Sequence, residues 1–225
     1  INILTLNGLT MKRLLLAVIP FAMLFSCQPK EKENPLLTEW NTPFSTPPFH
    51  LIEDDHYLPA YEVAMAENNA EIEAIVNNPE EPTFENTIVA YDQSGELMRR
   101  VGLVYGGING ANTSPRLQEV ARELTPKLTA HRSAITFNQE LFERIKVVYE
   151  KRESLGLDLE QMRVVEKIYN DFARNGAALP EEQREELKKL NERMSMLTLQ
   201  LGQNLLAENN GFKLILEDRD DLIGL

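Results

Sequence analysis

The 225-residue chain has a hydrophobic share of 43% and a charged share of 26%, both typical of a folded globular protein, which excludes a disordered or low-complexity tail. Its formal net charge is -12, and it becomes -14 without residues 1–26, which hold Lys12 and Arg13 but no acid. Nucleic-acid binding requires clustered Lys and Arg that displace counterions. Nucleic acid is therefore not an expected partner.

Residues 11–27 have the order of features found in a bacterial lipoprotein signal. A basic start at Lys12 and Arg13 precedes an apolar stretch, residues 14–25, that is too short to span a bilayer. Ser26 and Cys27 then resemble the lipoprotein box, so residues 11–26 are predicted to be a signal peptide. We expect an exported protein that is held at the membrane, in the periplasm or cell envelope, by a lipid on Cys27.

One alternative and one further interpretation concern this N-terminal region. Cys27 is the only cysteine, so it forms no intramolecular disulfide, and it could instead be a buried core residue behind an ordinary apolar helix. Residues 1–10 precede a good start signal at Met11 and are interpreted as upstream read-through, outside the fold.

Residues 27–52 are predicted to form a lipid-anchored tether followed by an extended entry segment. The entry segment contains Pro43, Pro47 and Pro48, which disfavour a helix and favour polyproline II. Aromatic side chains are interleaved with these prolines, and we expect them to hold the segment on the folded body. They are Trp40, Phe44 and Phe49.

The spacing of apolar residues predicts helices from about Asp55 almost to the end. The first covers residues 55–77, and the second begins near Thr83 and is broken at Gly106 and Gly107. Their apolar stripes are Tyr57, Tyr61, Met65, Ile72, Ile75 and Val76 in the first, and Phe84, Ile88, Tyr91, Met98, Val101 and Tyr105 in the second.

Three further helices follow. The third begins at Ser114-Pro115, because Ser caps free amides and Pro suits the first helical position, and a kink is expected at Pro126. Asn138 caps the fourth, and the fifth covers about residues 159–175. Their apolar faces are Leu117, Val120, Ala121, Leu124 and Leu128, then Leu141, Phe142, Ile145, Val148 and Tyr149, then Met162, Val165, Tyr169 and Phe172.

The longest predicted helix begins at Pro180, and its apolar residues recur at steps of three and four. This spacing is typical of a coiled-coil seam or of a long core helix. Residues 212–216 are short and apolar and are the one candidate strand. The predicted fold class is therefore all-α, a set of helices joined by short loops. The apolar positions of the longest helix are Leu187, Leu190, Met194, Leu197, Leu201 and Leu205.

The three histidines do not form a zinc motif. No two of His50, His56 and His131 are four residues apart, and the sequence H-E-x-x-H does not occur. His50 and His56 flank the acidic residues 53–55, which could suggest a metal cluster. We interpret these acids instead as partners of the first helix's N-terminal dipole.

No other pattern of catalytic residues is evident. The sequence has no G-x-S-x-G elbow, and the acidic run at residues 181–186 is typical of a solvated helix face rather than of a general acid. The glycines at 106, 107 and 110 follow a helix, so a helix-breaking loop is favoured over a phosphate cradle. We predict no catalytic, metal-binding or cofactor-binding residue within the chain.

Several phrases, in this order and spacing, resemble the N-terminal region of bacterial peptidyl-dipeptidases, zinc metallopeptidases of the thimet-oligopeptidase family. The resemblance covers about residues 34–225. Its phrases are Asn34-Pro35-Leu36-Leu37, Trp40-Asn41-Thr42-Pro43-Phe44, His56-Tyr57-Leu58-Pro59-Ala60-Tyr61, Pro82-Thr83-Phe84-Glu85-Asn86-Thr87-Ile88, Leu190-Asn191-Glu192 and Leu201-Gly202-Gln203-Asn204-Leu205-Leu206.

The resemblance implies a prolate helical enzyme with a deep channel between two halves. In that family zinc is held by the histidines of H-E-x-x-H and a later glutamate, and none of these has a counterpart here. Residues 53–225 would then be the helical N-terminal peptidase region, truncated before the catalytic part. It would bind no zinc itself, be inactive alone and form part of the wall of a channel that admits short peptides.

We therefore expect the full-length protein to be an exported, monomeric zinc peptidase of this family that acts on short peptides. The alternative is a helical lipoprotein without chemistry that acts as a binding or scaffolding module. A self-sufficient module should unfold cooperatively, whereas part of a channel enzyme should expose apolar surface.

Overall fold

The first long helix, α1, covers Tyr57–Val76 in the computed structural model, which describes residues 33–215 and Asp220. A 3₁₀ turn over Asp54–His56 leads into it, and Asn77 ends it, so the predicted helix over 55–77 is confirmed. Most of the predicted stripe is buried, and Met65 and Val76 are half-buried. The buried residues of α1 are Tyr57, Ala60, Tyr61, Ala64, Asn68, Ile72 and Ile75.

The second predicted helix is divided into two by a break at Ser94 and Gly95. A π-helical segment, Phe84–Val89, continues into the short helix α2, Ala90–Gln93, and α3 covers Glu96–Ala111. Gly95 has a φ of 72°, and its N–H donates to Glu71 Oε2 on α1 at 2.7 Å. Gly95 adopts the left-handed conformation and is hydrogen-bonded to α1, so it separates α2 from α3. Apolar spacing alone does not reveal this break.

The expected break at Gly106 and Gly107 is wrong, because α3 continues through both residues to Ala111. Each glycine in a helix interior costs about 1 kcal/mol relative to alanine. Burial on both sides of the pair offsets this cost, since Val104 before it is buried and Ile108 after it packs against the same core. Tertiary packing thus overrides the local preference.

Three well-capped helices follow α3. They are α4, Pro115–Thr136, α5, Gln139–Lys151, and α6, Leu159–Arg174. Ser114 and Asn138 accept hydrogen bonds from Leu117 N and Leu141 N at 3.0 and 2.9 Å, which confirms both predicted caps. Helix α4 includes Pro126 and extends past the predicted face to bury His131 and Ser133.

The buried side chains form two clusters, and α1 contributes to both. The first half of α1 packs with α3, α4 and the buried Leu36, and its second half packs with α5 and α6. One cluster comprises Leu36, Tyr57, Ala60, Tyr61, Val101, Val104, Leu117, Val120 and Leu124. The other comprises Ile72, Ile75, Phe84, Ile88, Leu141, Phe142, Ile145, Val148, Val165, Ile168, Phe172 and Ala177.

The last helix, α7, covers Glu181–Gly211, with Pro180 at its N-terminal cap as predicted. It lies against α4, where Gln203 Nε2 approaches the carbonyl of Gln118 and Gln203 Oε1 approaches Arg122 Nη1, both at 3.5 Å. None of its residues is buried. The expectation of a buried face is therefore wrong for the described residues, because no element among them covers the apolar side of α7.

Two local expectations also need correction. Residues 212–215 are extended but form no strand, and residue 216 lies outside the described residues. In the entry segment Pro43–Ser45 forms a 3₁₀ turn, and Phe44 is 100% exposed. Trp40 holds the segment through packing and a 2.9 Å hydrogen bond from its Nε1 to the carbonyl of Pro35, Pro48 is buried, and Phe49 is 53% exposed.

The predicted all-α class is confirmed, since the described residues contain helices and no strand. From Pro35 onward they belong to one compact unit. Within residues 33–215, no helix combines the length and the apolar character that a membrane crossing needs. Residues 1–10, the predicted signal peptide and Cys27 lie outside the described residues.

Candidate functional site

The acidic run before α1 links this helix to α4. Asp54 Oδ2 accepts a hydrogen bond from Ser114 Oγ at 2.6 Å, and Asp55 Oδ1 accepts one from Arg116 Nε at 2.6 Å. Glu53 and His56 form a reciprocal capping box, in which Glu53 N donates to His56 Nδ1 at 2.9 Å. The acids therefore lie at the helix N-terminus, as predicted, and also position the start of α4.

A zinc site would need His, Cys, Asp or Glu side chains converging on one point. Among residues 33–215 and Asp220, no group of three such side chains is placed to hold a metal ion. His56 caps α1 and His131 binds Asn68, so these two imidazoles serve different parts of the fold. The described residues therefore do not fit the zinc that the family resemblance implies.

A cleft of about 590 Å³ lies beside the second half of α4. Helix α4 forms one side, and residues from α6, the turn after it and α7 form the other. The lining is mostly polar. It comprises Thr125, Leu128, Thr129, Arg132, Ser133, Thr136, Phe137, Asp171, Asn175 and Asn191.

A second cavity, of about 340 Å³, adjoins this cleft. Leu128, Arg132 and Thr136 line both, so the two spaces meet at the C-terminal half of α4. This second cavity has aromatic and apolar walls with a few polar groups. Its other lining residues are Tyr61, Asn68, Tyr91, Met98, Gly102, His131 and Ile135.

A polar network includes two residues that line this second cavity, Asn68 and His131. His131 Nε2 lies 3.0 Å from Asn68 Oδ1, and Asn68 Nδ2 donates to Glu71 Oε2 at 3.3 Å. Because the amide nitrogen of Asn68 donates to Glu71, its oxygen accepts, and His131 Nε2 therefore bears the proton. The same Glu71 oxygen accepts from Gly95 N, so the network joins α4, α1 and the start of α3.

The groups around these cavities are poorly suited to acid–base catalysis near neutral pH. Burial raises the pKa of Tyr61 to about 12, and burial also raises the pKa of Tyr91. Burial lowers the pKa of His131, which is therefore neutral at pH 7 and already engaged with Asn68. Among the described residues that line the two cavities, no nucleophilic side chain is hydrogen-bonded to a base.

Arg132 is the prominent charge of the cleft. Within the described part of the chain, neither Arg132 nor Asp171 forms an ion pair, although both line the same cleft. An exposed guanidinium of this kind suits a carboxylate such as a peptide C-terminus. Asp171, Asn175 and Asn191 add further hydrogen-bonding groups to the same cleft.

Sequence reasoning did not single out Arg132, Asp171 or Asn191. They come from three helices whose relative placement the sequence does not specify. One signal was present, because Asn68 occupies the buried stripe of α1 between Tyr61 and Ile72, and a polar residue on a buried face needs a partner. Following that signal would have led to His131 and the adjoining Arg132.

No protein-family model matches the chain. It is 40% identical over 192 residues to a dipeptidyl carboxypeptidase of Escherichia coli strain K12, covering 85% of this chain and 28% of that protein. A thimet-like oligopeptidase of Dictyostelium discoideum is 26% identical over 168 residues, covering 72% of this chain and 25% of that protein. The chain belongs to the thimet-oligopeptidase family.

Within this family, the weaker similarity to oligopeptidase A of Salmonella typhimurium, 26% over 192 residues, is consistent with the same assignment. The family resemblance predicted from the N-terminal phrases is thereby confirmed. The chain spans a little over a quarter of the length of the curated thimet-oligopeptidase relatives that it matches, 28% for the dipeptidyl carboxypeptidase and for oligopeptidase A.

Proposed function

We propose that the complete protein is an exported zinc peptidase that removes dipeptides from the C-termini of short peptides or cleaves such peptides internally. In this proposal helices α1–α7 form part of the substrate-channel wall. The observation that supports it most strongly is the 40% identity to a dipeptidyl carboxypeptidase over 85% of the chain.

The cleft beside α4 is the proposed contribution of this wall to substrate binding. Its volume of about 590 Å³ accommodates a dipeptide-sized segment, and its lining supplies a cation, a carboxylate and amides. A peptide end has complementary groups, since its carboxylate can pair with Arg132. The walls hold and orient the peptide, while bond cleavage takes place at residues outside those described.

The zinc would be supplied by another part of the protein and would polarise the scissile carbonyl. No residue described here is assigned to it, because His50, His56 and His131 do not converge. In the same proposal a lipid on Cys27 holds the enzyme at the membrane of the periplasm or cell envelope. The enzyme is monomeric, and a signal peptide covers residues 11–26.

The activity is tested with the purified product of the complete gene and a synthetic hexapeptide with a blocked N-terminus. We expect release of dipeptides or internal fragments, loss of the activity after a zinc chelator and recovery after zinc is added back. Mass spectrometry of the products distinguishes C-terminal dipeptide release from internal cleavage. A product of the complete gene that binds peptides without cleaving them would support the binding-module alternative and contradict the peptidase proposal.

The proposed role of the cleft in substrate binding is tested separately in the same enzyme. Because Arg132 is placed to meet a substrate carboxylate, Arg132→Gln should raise KM by about tenfold with little change in kcat, as expected for one lost charged hydrogen bond. Arg122→Gln is the matched control, since Arg122 lies on the same helix and approaches Gln203 outside the cleft. Equal KM values for the two variants would remove the cleft from the proposed binding site.

Export is tested by labelling cells with a radioactive fatty acid. The wild-type protein should acquire the label and fractionate with membranes. Cys27→Ser should lack the label, whereas Ser26→Ala, which keeps a small residue before the cysteine, should retain it. Unlabelled wild-type protein would contradict lipidation.

A further inference from the structure

Helix α7 exposes a continuous row of apolar side chains, which we call the α7 stripe. Its members recur at steps of three and four, so they share one side of the helix. Exposure along the row is high, reaching 68% at Leu201. The α7 stripe consists of Leu190, Met194, Leu197, Leu201 and Leu205.

The α7 stripe is distinct from the side of α7 that lies against α4. Asn191 lines the cleft beside α4, and Leu199, Gln203 and Leu206 line a smaller cavity shared with α4 residues. At 100° per residue, this side is rotated by roughly a third of a turn from the α7 stripe. Packing against α4 therefore leaves the apolar row uncovered.

The exposed apolar surface continues beyond the helix. Phe212, Leu214 and Ile215 follow α7 directly and are 75%, 65% and 78% exposed. Scattered apolar residues are common on protein surfaces, but a contiguous row over four helical turns is typical of an interface. The exposed apolar residues thus extend along the sequence from α7 into the segment after it.

We propose that the α7 stripe is the surface on which the remainder of the peptidase polypeptide packs. This inference rests on the proposed function, because the covering segment belongs to the same peptidase. The occupant is argued from length, since the chain corresponds to only 28% of the relative that it matches at 40% identity. More than two thirds of such a protein is available to cover the row.

A covalently connected segment also has an advantage over a second copy of this chain. Its effective concentration at the α7 stripe is set by the connecting polypeptide and reaches the millimolar range for short connections. A second copy would have to associate from dilute solution. The same row therefore serves an intramolecular interface between the helices described here and the catalytic part.

The test uses the reactivity of a single introduced thiol. Cys27 is the only cysteine of the 225 residues, so Cys27→Ser leaves this chain without thiols. In the product of the complete gene, labelling is read by mass spectrometry at the peptide that carries the introduced cysteine. Leu201→Cys places a thiol on the α7 stripe, and Leu159→Cys provides a matched control at the start of α6, where Leu159 is 86% exposed. Both are made in the 225-residue chain and in the product of the complete gene, and their rates of maleimide labelling are compared.

We expect Leu201→Cys to react at least tenfold more slowly in the complete product than in the 225-residue chain, and Leu159→Cys to react similarly in both. Equal reactivity of Leu201→Cys in the two proteins would overturn the proposal. Protection that is already present in the 225-residue chain and increases with its concentration would also overturn it, because a second copy would then be the occupant.

Peptide hydrolysis by the same complete product separates this inference from the proposed function. An active product with a freely reactive Leu201→Cys thiol would contradict only the proposed interface on the α7 stripe. An inactive product with a protected thiol would contradict the peptidase activity while supporting the interface.

Discussion

Helices α4 and α7 lie side by side, yet they relate to the core in opposite ways. Over 22 residues α4 buries Leu117, Val120, Ala121, Leu124, His131 and Ser133. Over 31 residues α7 buries none. Both helices have apolar residues at helical spacing, so their sequences alone predict a buried face in each.

The difference shows what helical periodicity reports. A 3-and-4 spacing of apolar residues specifies that a helix has an apolar side, but not where the covering surface comes from. For α4 that surface is α1 and α3, which are part of this chain. For α7 the corresponding side faces no described element, and the proposed cover is the remainder of the peptidase.

The largest expected contrast is between replacing a large aliphatic residue by alanine in the core and making the same kind of replacement on the α7 stripe. Ile145 is 0% exposed, so Ile145→Ala should destabilise the 225-residue chain by about 2–5 kcal/mol through lost burial and a cavity. Leu201→Ala should change the free energy of unfolding by less than about 0.5 kcal/mol. Urea denaturation followed by circular dichroism measures both.

A large loss of stability in Leu201→Ala would contradict the contrast, because the α7 stripe would then be covered within the 225-residue chain. The same pair sharpens the comparison in the product of the complete gene. There Leu201→Ala should become destabilising as well.

The second contrast concerns two glycines. Gly95→Ala forces a left-handed alanine whose Cβ would lie 3.3 Å from Asn68 Nδ2, and it should destabilise the chain by about 1–2 kcal/mol. Gly106→Ala lies inside α3 with no neighbouring atom within 4 Å of the added carbon. It should stabilise the chain by about 0.5–1 kcal/mol, because alanine favours a helix.

Thermal unfolding of both variants checks these opposite signs. A destabilised Gly106→Ala would indicate that α3 does not continue through the glycine pair. A neutral Gly95→Ala would contradict the role of Gly95 as the break between α2 and α3.

These examples also show how far the sequence determines the fold. Caps at Ser114 and Asn138 follow from local hydrogen-bonding chemistry, and both were predictable. The break at Gly95 and the continuity at Gly106 depend on contacts with α1 and with the core, so local preference did not predict them. Cys27 lies outside the described residues, and its lipidation stays a prediction.

The candidate site was less predictable than the fold. Arg132, Asp171 and Asn191 come from three helices, and only the packing of α4 with α6 and α7 brings them to one cleft. The family, in contrast, was predictable from short phrases, because their residues and order are preserved in the sequence itself.

A smaller contrast concerns a serine that caps the start of α4 and a serine in the middle of α7. Ser114→Ala removes the hydroxyl that accepts from Leu117 N and donates to Asp54 Oδ2, and it should cost about 1 kcal/mol. Ser195→Ala in α7 removes only a local bond to the carbonyl of Glu192 and should be close to neutral. Guanidinium denaturation of both variants provides the comparison, and equal losses would argue against a special role for the Ser114 cap.

The smallest expected effect is a pH dependence from His131. Burial lowers the pKa of His131 in the folded chain below its ordinary value of 6.5, so the unfolded chain binds more protons in the interval between the two values. The free energy of unfolding should therefore fall as pH decreases from 6.5 through the folded pKa. His131→Gln should flatten this slope relative to the wild type.

The control variant is His50→Gln, which removes an exposed imidazole away from the cavity. Urea midpoints measured at several pH values between 7.5 and 5 give the three slopes. A wild-type slope that persists in His131→Gln would assign the pH dependence to another group.

The most direct test of the account compares peptide hydrolysis by the 225-residue chain with hydrolysis by the product of the complete gene, at equal concentration and with added zinc. The account predicts cleavage of a short peptide by the complete product and none above background by the 225-residue chain, because in the proposed function the described helices contribute a wall and the metal site lies elsewhere. Comparable cleavage by the 225-residue chain alone would contradict it.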